Sequence, residues 1–545
     1  MNDQERERAA QSIGRQLSRR TFLQRAGMGA LALPSASALL AACSSSGGGG
    51  GGGPSTGGGG GSPKPGGHLI VARTADSLTM DKTAMFDNES IWIATNLYEM
   101  LYEAGPDGKT LVPWLATGHE LSDDKLTWTF HLRPGVKFHS GQPLTADDVV
   151  FSLDEARGKD SAWGFIYTAV KDISAPDPET VVIQTEFPWA PLLADVALFG
   201  GGVVPKDYAG ESKKDFYQHP VGTGPFMWDT WTKGNELRLK KNPAYWQEGK
   251  PYLDAISWNN VPDDNTRILQ VKGGQAHIDE FPPWSAIDSL KGAQGVLVKL
   301  FPSSRTDFLS FNQKQQPFQD VHVRRAIAYA LDRQAMVKAV LFGNGRVANS
   351  FLTPALFGYD ANVQGPEYSV EKAKEELAQS SVPNGFKTTL QVGTGVVTEN
   401  SLGQIIQQQL GAIGVHVDLK PVDPNAEFTN IQNFDYEMCF LYDTTDIIDP
   451  DELVNFSVAP SGGTYAFWTN YQNPQVDEWT KEAEHEFTVS KRQELYTKIQ
   501  EQVAQDVPVA PLYYSPYAYA YSDKVQGFQV YPTGNYHAEN IWLSG

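Results

Sequence analysis

The sequence predicts a mixed α/β protein divided into two lobes, and three observations carry that reading. About 480 residues follow the N-terminal segment and its linker, more than one hydrophobic core accommodates, so two or three domains are expected. Short period-two strands and amphipathic helices recur along that length. Near residue 400 a strand, a helix and a second strand follow one another as a parallel pair with a right-handed crossover requires.

The first elements are addresses rather than structure. Ser18-Arg19-Arg20-Thr21-Phe22-Leu23 has the S-R-R-x-F-L form of a twin-arginine export motif, with Arg19 and Arg20 at its centre. A weakly apolar run from Ala26, interrupted by Pro34, ends in Leu40-Ala41-Ala42-Cys43. That ending is a lipobox, whose small residues admit a signal peptidase to the bond before a cysteine that becomes lipidated. The run, about 17 residues long, is too short and too polar for a stable spanning helix. Ser44 to Gly67 is almost entirely Ser, Gly and Pro, a tether with no side chains to bury. Residues 1–42 are therefore expected to be a signal peptide and 43–66 a linker. The mature body should be held by lipid on Cys43 at the outer face of the cytoplasmic membrane.

Beyond the linker, Thr127-Trp128-Thr129-Phe130-His131-Leu132 alternates with period two and reads as a half-buried strand. Arg133-Pro134-Gly135 and Gly141-Gln142-Pro143 turn the chain, and Thr145 caps a helix whose positive end is complemented by Asp147 and Asp148. Thr180 to Thr185 and Glu236 to Lys240 are further strands. Val323, Ile327, Ala330 and Leu331 mark one face of a helix expected over Val321 to Leu341. Thr389 to Gly393 is a strand, and the next helix carries Leu402, Ile405, Ile406, Leu410 and Ile413 on one side until Gly414 stops it. Val415, Val417 and Leu419 alternate as the following strand. A last helix, Lys491 to about Gln505, ends before Pro508.

Composition and motif failures narrow the function. The net charge of −20 opposes binding to nucleic acid or to anionic lipid. Of two cysteines, Cys43 is committed to lipid, so Cys439 has no partner and reads as a small buried hydrophobe. Gly53-Pro54-Ser55-Thr56-Gly57 matches a nucleophile elbow but lies in the linker, with no strand before it. Gly108-Lys109-Thr110 ends like a phosphate loop, yet Glu103 stands where its first glycine belongs. His131 and His139 are the closest histidines, and nothing near them completes a metal site. No catalytic residue, cofactor or metal ligand is assigned, and a non-enzyme is expected.

Leu111 to Leu153, LVPWLATGHELSDDKLTWTFHLRPGVKFHSGQPLTADDVVFSL, resembles the signature block of the family 5 extracellular solute-binding proteins, the peptide, oligopeptide and nickel receptors of ABC importers. The resemblance continues through Val221-Gly222-Thr223-Gly224-Pro225-Phe226, Asn242-Pro243-Ala244-Tyr245-Trp246, Val323-Arg324-Arg325-Ala326-Ile327 with Asp332-Arg333, Asp449-Pro450, and Asp506-Val507-Pro508. It implies a two-lobed clamp of the periplasmic-binding-protein type (type II, cluster C-like). Lobe one would hold residues 67–305, with an inserted subdomain at about 99–200, lobe two 306–514, and 515–545 would return to lobe one. It also implies a monomer that captures peptides for a permease and ATPase complex and touches the membrane through its lipid alone. Another solute, an oligosaccharide or a nickel or other metal chelate, is the alternative, with an exported hydrolase far behind.

In peptide-binding relatives an aspartate shortly before a D-P dipeptide takes the ligand's ammonium group. Here the resemblance places that role on Asp446, with Tyr442 and Asp443 as neighbours. The alternative for Asp446 is a loop aspartate that bonds its own backbone. Relatives often hold a ligand carboxylate with Arg or His from lobe two, but no arginine lies between Arg346 and Arg492. The ligand is then expected to be longer, to lack a carboxylate, or to be held from lobe one, where Arg73 and Arg305 are candidates.

Overall fold

The computed structural model describes residues 62–545 except 463 and 465. Arg19, Arg20, Cys43 and most of the linker lie outside the described residues. Two large sheets organise the rest. The first has seven strands in the order Val296–Phe301, Tyr517–Ser522, Ile278–Glu280, His68–Arg73, Ala255–Asn260, Glu236–Lys241, Phe226–Thr232. The second has six, Arg346–Val347, Val509–Tyr514, Thr306–Phe311, Met438–Asp443, Phe386–Gly393, Val415–Val422. The chain passes between them twice, from Phe301 to Thr306 and from Tyr514 to Tyr517. A separate antiparallel sheet joins Ala116–Leu121, Thr127–Leu132, Thr180–Thr185 and Val170–Asp177.

Local physics accounts for these elements. In Thr127–Leu132 the alternate residues Trp128, Phe130 and Leu132 are buried, as its pattern requires. The helix Ala146–Ala156 starts at Thr145, whose N–H and hydroxyl both donate to the Asp148 carboxylate at 2.8 Å. The parallel pair is present: Phe386–Gly393 runs beside Val415–Val422, and the helix Val397–Gly411 between them buries Leu402, Ile406 and Leu410. Gly414, at φ +84°, turns the chain into the second strand.

One expectation needs correction. The helix expected over Val321 to Leu341 is two helices, Val321–Ala330 and Arg333–Val340. Leu331 adopts extended backbone, and the Asp332 side chain accepts from Ala335 N at 2.9 Å to start the second helix. Arg333 then donates to Pro511 O at 2.7 Å and Pro366 O at 2.8 Å, tying the new start to the sheet.

The signature blocks serve this architecture. Any side chain at Gly222 or Gly224 would collide with backbone at Leu97 and Asn96. Trp114 Nε1, the Tyr245 hydroxyl and Trp246 Nε1 converge on the buried Glu99 carboxylate at 2.7, 2.8 and 3.0 Å. Burial pushes that carboxyl up to about 7 against these donors. Arg324 reaches the Asp506 and Val507 carbonyls at 2.7 and 3.0 Å, covering the acceptors left open at the end of the helix Val489–Asp506.

His139, in the same region, accepts from Gly222 N at 3.1 Å on Nδ1, and its Nε2 lies 3.0 Å from Gly224 O. That arrangement suits the neutral ring with its proton on Nε2, and burial lowers its pKa from 6.5 to about 4. The unfolded chain takes up the proton first, so the stability is complete above 6.5 and is lost as the pH falls toward 4. The full linkage is at most about 3 kcal/mol. His139→Gln keeps one donor and one acceptor and removes the titration. The melting-temperature gap between wild type and His139→Gln should narrow as the pH drops through this window. A constant gap would show that the ring does not titrate there.

Candidate functional site

Met438–Asp443 runs antiparallel to Thr306–Phe311, with Asp443 opposite Thr306 and Tyr442 opposite Asp307. Beyond Asp443 the chain leaves the sheet and enters the helix Pro450–Ser457. Asp449 caps that helix, accepting from Asp451 N at 3.0 Å, and Pro450 fills its first turn, where no N–H is needed. The Asp449 carboxylate also receives the Arg492 guanidinium through two bonds of 2.7 and 2.8 Å, both side chains buried. The D-P dipeptide is thus a structural anchor whose carboxylate is already engaged.

Glu452 organises the loop before it. One of its oxygens accepts from Thr445 Oγ1 at 2.5 Å, Asp446 N at 3.1 Å and Ile447 N at 3.2 Å. Thr445 N donates to Ser304 Oγ, 3.1 Å away on the first crossover between the sheets. Ile447 is buried within the hydrophobic core of the seven-stranded sheet, although the strand that leads into its loop, Met438–Asp443, belongs to the six-stranded one. Asp446 therefore stands where the two halves meet.

Asp446 is partly buried, and among the described residues no hydrogen-bond donor reaches its carboxylate. The backbone-bonding role that a loop aspartate could have taken belongs to Glu452. Burial, then the Glu452 charge, pushes the Asp446 carboxyl well above the ordinary range. Asp443 is buried and accepts from the Ser457 hydroxyl, so its carboxylate is satisfied inside the protein. Burial and the nearby Glu452 raise its pKa as well. Tyr442 is 52% exposed, and the Arg305 guanidinium carbon lies 3.8 Å from its ring centre. Tyr517 is buried at the end of the second crossover, close enough for the Asp446 charge to raise its hydroxyl pKa beyond the effect of burial. Its ring stands 5.9 Å from Trp92 and 5.9 Å from Phe281.

The structure thus brings Asp446, Tyr442 and Asp443 to one end of a strand, with Asp443 turned inward. Sequence reasoning missed Glu452, Asp307 and Tyr517. Glu452 had a local signal, an acidic residue in the first turn of a helix begun by Asp449-Pro450. Arg73, the other cation considered, is buried against Glu89 O at 2.8 Å and Ser77 Oγ at 2.7 Å. A second junction lies apart: Ala190 N donates to Glu484 O at 2.7 Å, and Phe187 packs 5.1 Å from His485. A cavity of about 390 Å³ beside Arg333, Asn349 and Gln500 contains none of these residues and is separate from the Asp446 region.

The family model for bacterial extracellular solute-binding proteins, family 5, matches residues 110–465. The glutathione-binding protein GsiB of Salmonella typhimurium is 29% identical over 477 residues, 85% of this chain and 92% of that protein. The periplasmic binding protein DppA of Helicobacter pylori, solved with the peptide STSA, superposes with a TM-score of 0.77 at 28% identity, covering 88% of this chain and 99% of that one. The oligopeptide-binding protein AppA of Bacillus subtilis, solved with a nonapeptide, gives 0.76 at 25% identity, covering 89% and 100%.

Proposed function

The chain belongs to the family 5 bacterial extracellular solute-binding proteins, and from that premise we propose that it captures peptides between its two lobes and delivers them to the permease and ATPase of an ABC importer. The observation that carries the choice of ligand is Asp446, a carboxylate that no donor among the described residues reaches, at the junction of the two halves. A desolvated ammonium group needs such an opposite charge. Tyr442, half exposed at the same end of the strand, offers flat surface of the kind solute pockets use. The peptides bound by DppA and AppA support the same reading. We assign lobe one to 67–305 with an inserted subdomain at about 99–200, lobe two to 306–514, and 515–545 to a return into lobe one. The two crossovers and the separate four-stranded sheet support these bounds.

Native mass spectrometry of freshly purified protein should find a peptide carried through purification. Adding that peptide in excess should raise the melting temperature, by mass action on the folded state. Hydrolysis of a peptide library by the protein would reject the receptor reading.

The same reading places the body outside the cytoplasmic membrane, exported through Arg19 and Arg20 and held by lipid on Cys43. Among the described residues, no helix is long and apolar enough to cross a membrane. Cys43→Ala should release the protein from membranes or block its maturation, because the acyl chains supply the membrane affinity. Arg19→Lys with Arg20→Lys should leave precursor in the cytoplasm. Fractionation and immunoblotting decide both, and normal anchoring of the two variants would reject this view of the N-terminus.

A further inference from the structure

The first crossover carries one cation, Arg305, and it lies against the candidate site. Tyr442 stacks on its guanidinium, and 35% of the side chain stays exposed. The Nε–Nη2 edge of its guanidinium is already occupied. Nε lies 3.2 and 3.1 Å from the two carboxylate oxygens of Asp307, and Nη2 donates to Oδ1 at 2.6 Å. Asp307 is itself fixed, buried and accepting from Ser515 Oγ at 2.7 Å on the second crossover. A guanidinium whose Nε–Nη2 edge is taken by an internal carboxylate has lost that bidentate edge to a ligand's carboxylate, and its charge is already paired. Among the described residues, the Glu452 charge bears on Asp446, and the Glu452 and Asp446 charges bear on Asp443.

We propose that Asp307 is a specificity-determining residue: by pairing with Arg305 it leaves the site, among the described residues, without an unpaired cation. The receptor then selects solutes that bring a positive charge to Asp446 and present no carboxylate to Arg305. This rests on the reading of the Asp446 region as the solute site. Peptides long enough to carry their C-terminus past Arg305, C-terminally blocked peptides and cationic solutes fit it. Short free-acid peptides gain nothing from their carboxylate here.

The test has two arms. In the first, the full-length protein is treated with phenylglyoxal, which modifies accessible guanidinium groups, and the adducts are mapped by mass spectrometry with exposed Arg346 as the internal standard. Arg305 should react at least tenfold more slowly than Arg346 in wild type and at least fivefold faster than wild type in Asp307→Asn. In Ser515→Ala, which cuts the tie to the second crossover and leaves Asp307 in place, it should stay slow. Acetate should protect Arg305 in Asp307→Asn and have no effect in wild type. Fast labelling in wild type, or no gain in Asp307→Asn, would overturn the proposal.

In the second arm, calorimetry compares the tetrapeptide Ser-Thr-Ser-Ala as free acid and as C-terminal amide. Wild type should bind the two within threefold, and Asp307→Asn should favour the acid by tenfold or more. If Asp307→Asn fails to fold, Arg305→Gln decides: affinity for the acid within threefold of wild type supports the proposal, and a tenfold loss confined to the acid overturns it. If neither peptide form binds any variant, the peptide reading fails, while the labelling and acetate results still decide whether Asp307 withholds Arg305.

Discussion

Asp446→Asn should weaken binding of an ammonium-bearing ligand by about 30-fold to several thousand-fold, the roughly 2–5 kcal/mol that follows truncation of one partner of a desolvated charged pair. The substitution keeps the side chain's shape and removes its charge. The unliganded protein should lose no stability and could gain some, because the carboxylate is partly buried beside Glu452 with no donor of its own. Asp443→Asn is the control and should cost much less affinity, since its carboxylate is taken up by Ser457.

A pH dependence accompanies this prediction. The Asp446 carboxyl is raised in the unliganded protein, so part of the population holds a proton that an ammonium ligand must displace. Affinity should rise with pH between the ordinary carboxylate range and the raised value, with protons released on binding. In Asp446→Asn that slope should flatten. Titration calorimetry in buffers of different ionisation enthalpy reads both quantities. An Asp446→Asn protein that binds within threefold of wild type, with an unchanged slope, would place the ammonium elsewhere or mean that the solute has none.

Asp449→Ala should produce the largest loss of stability, about 3–5 kcal/mol, because it strands the buried Arg492 guanidinium without its carboxylate. It also removes the cap of the helix Pro450–Ser457, whose loss typically adds about 1 kcal/mol. Asp449→Asn retains an acceptor for the cap and should be less damaging. Replacing both partners, Asp449→Leu with Arg492→Met, should recover part of the loss, since the buried charge is then gone. Melting curves of the four proteins decide the matter. A melting temperature for Asp449→Ala within about two degrees of wild type would show that water reaches Arg492. The same variant should weaken ligand binding, because Asp449 fixes one end of the loop that presents Asp446.

Much of the fold was legible because its signals are local. Thr127–Leu132 and Thr180–Thr185 have the bounds that their alternation sets; the helix expected to run to Gly414 ends at Gly411, so Ile413 lies past it, and Gly414 turns the chain into the strand at Val415. The break at Leu331 and Asp332 went unread because hydrophobic spacing continues through it. What separates those two helices is a capping side chain and the anchoring of Arg333 to a strand far along the chain.

The signature blocks that reveal the family mark joints of the scaffold. Tyr245 and Trp246 serve Glu99, Arg324 covers the end of a distant helix, and Asp449 neutralises Arg492. Residue identity and spacing alone therefore determined the family, the mixed α/β class, the parallel crossover and the position of Asp446 before its D-P dipeptide, since each is written in contiguous residues. Only the tertiary structure decided which charges are free. Arg305, at the end of the first crossover, meets Asp307 at the start of the next strand, and Ser515 joins them from more than 200 residues away. Asp443 turns inward to Ser457, whereas no donor among the described residues reaches Asp446. The availability of a charge depends on its three-dimensional neighbours and its access to water, and neither is encoded by sequence spacing.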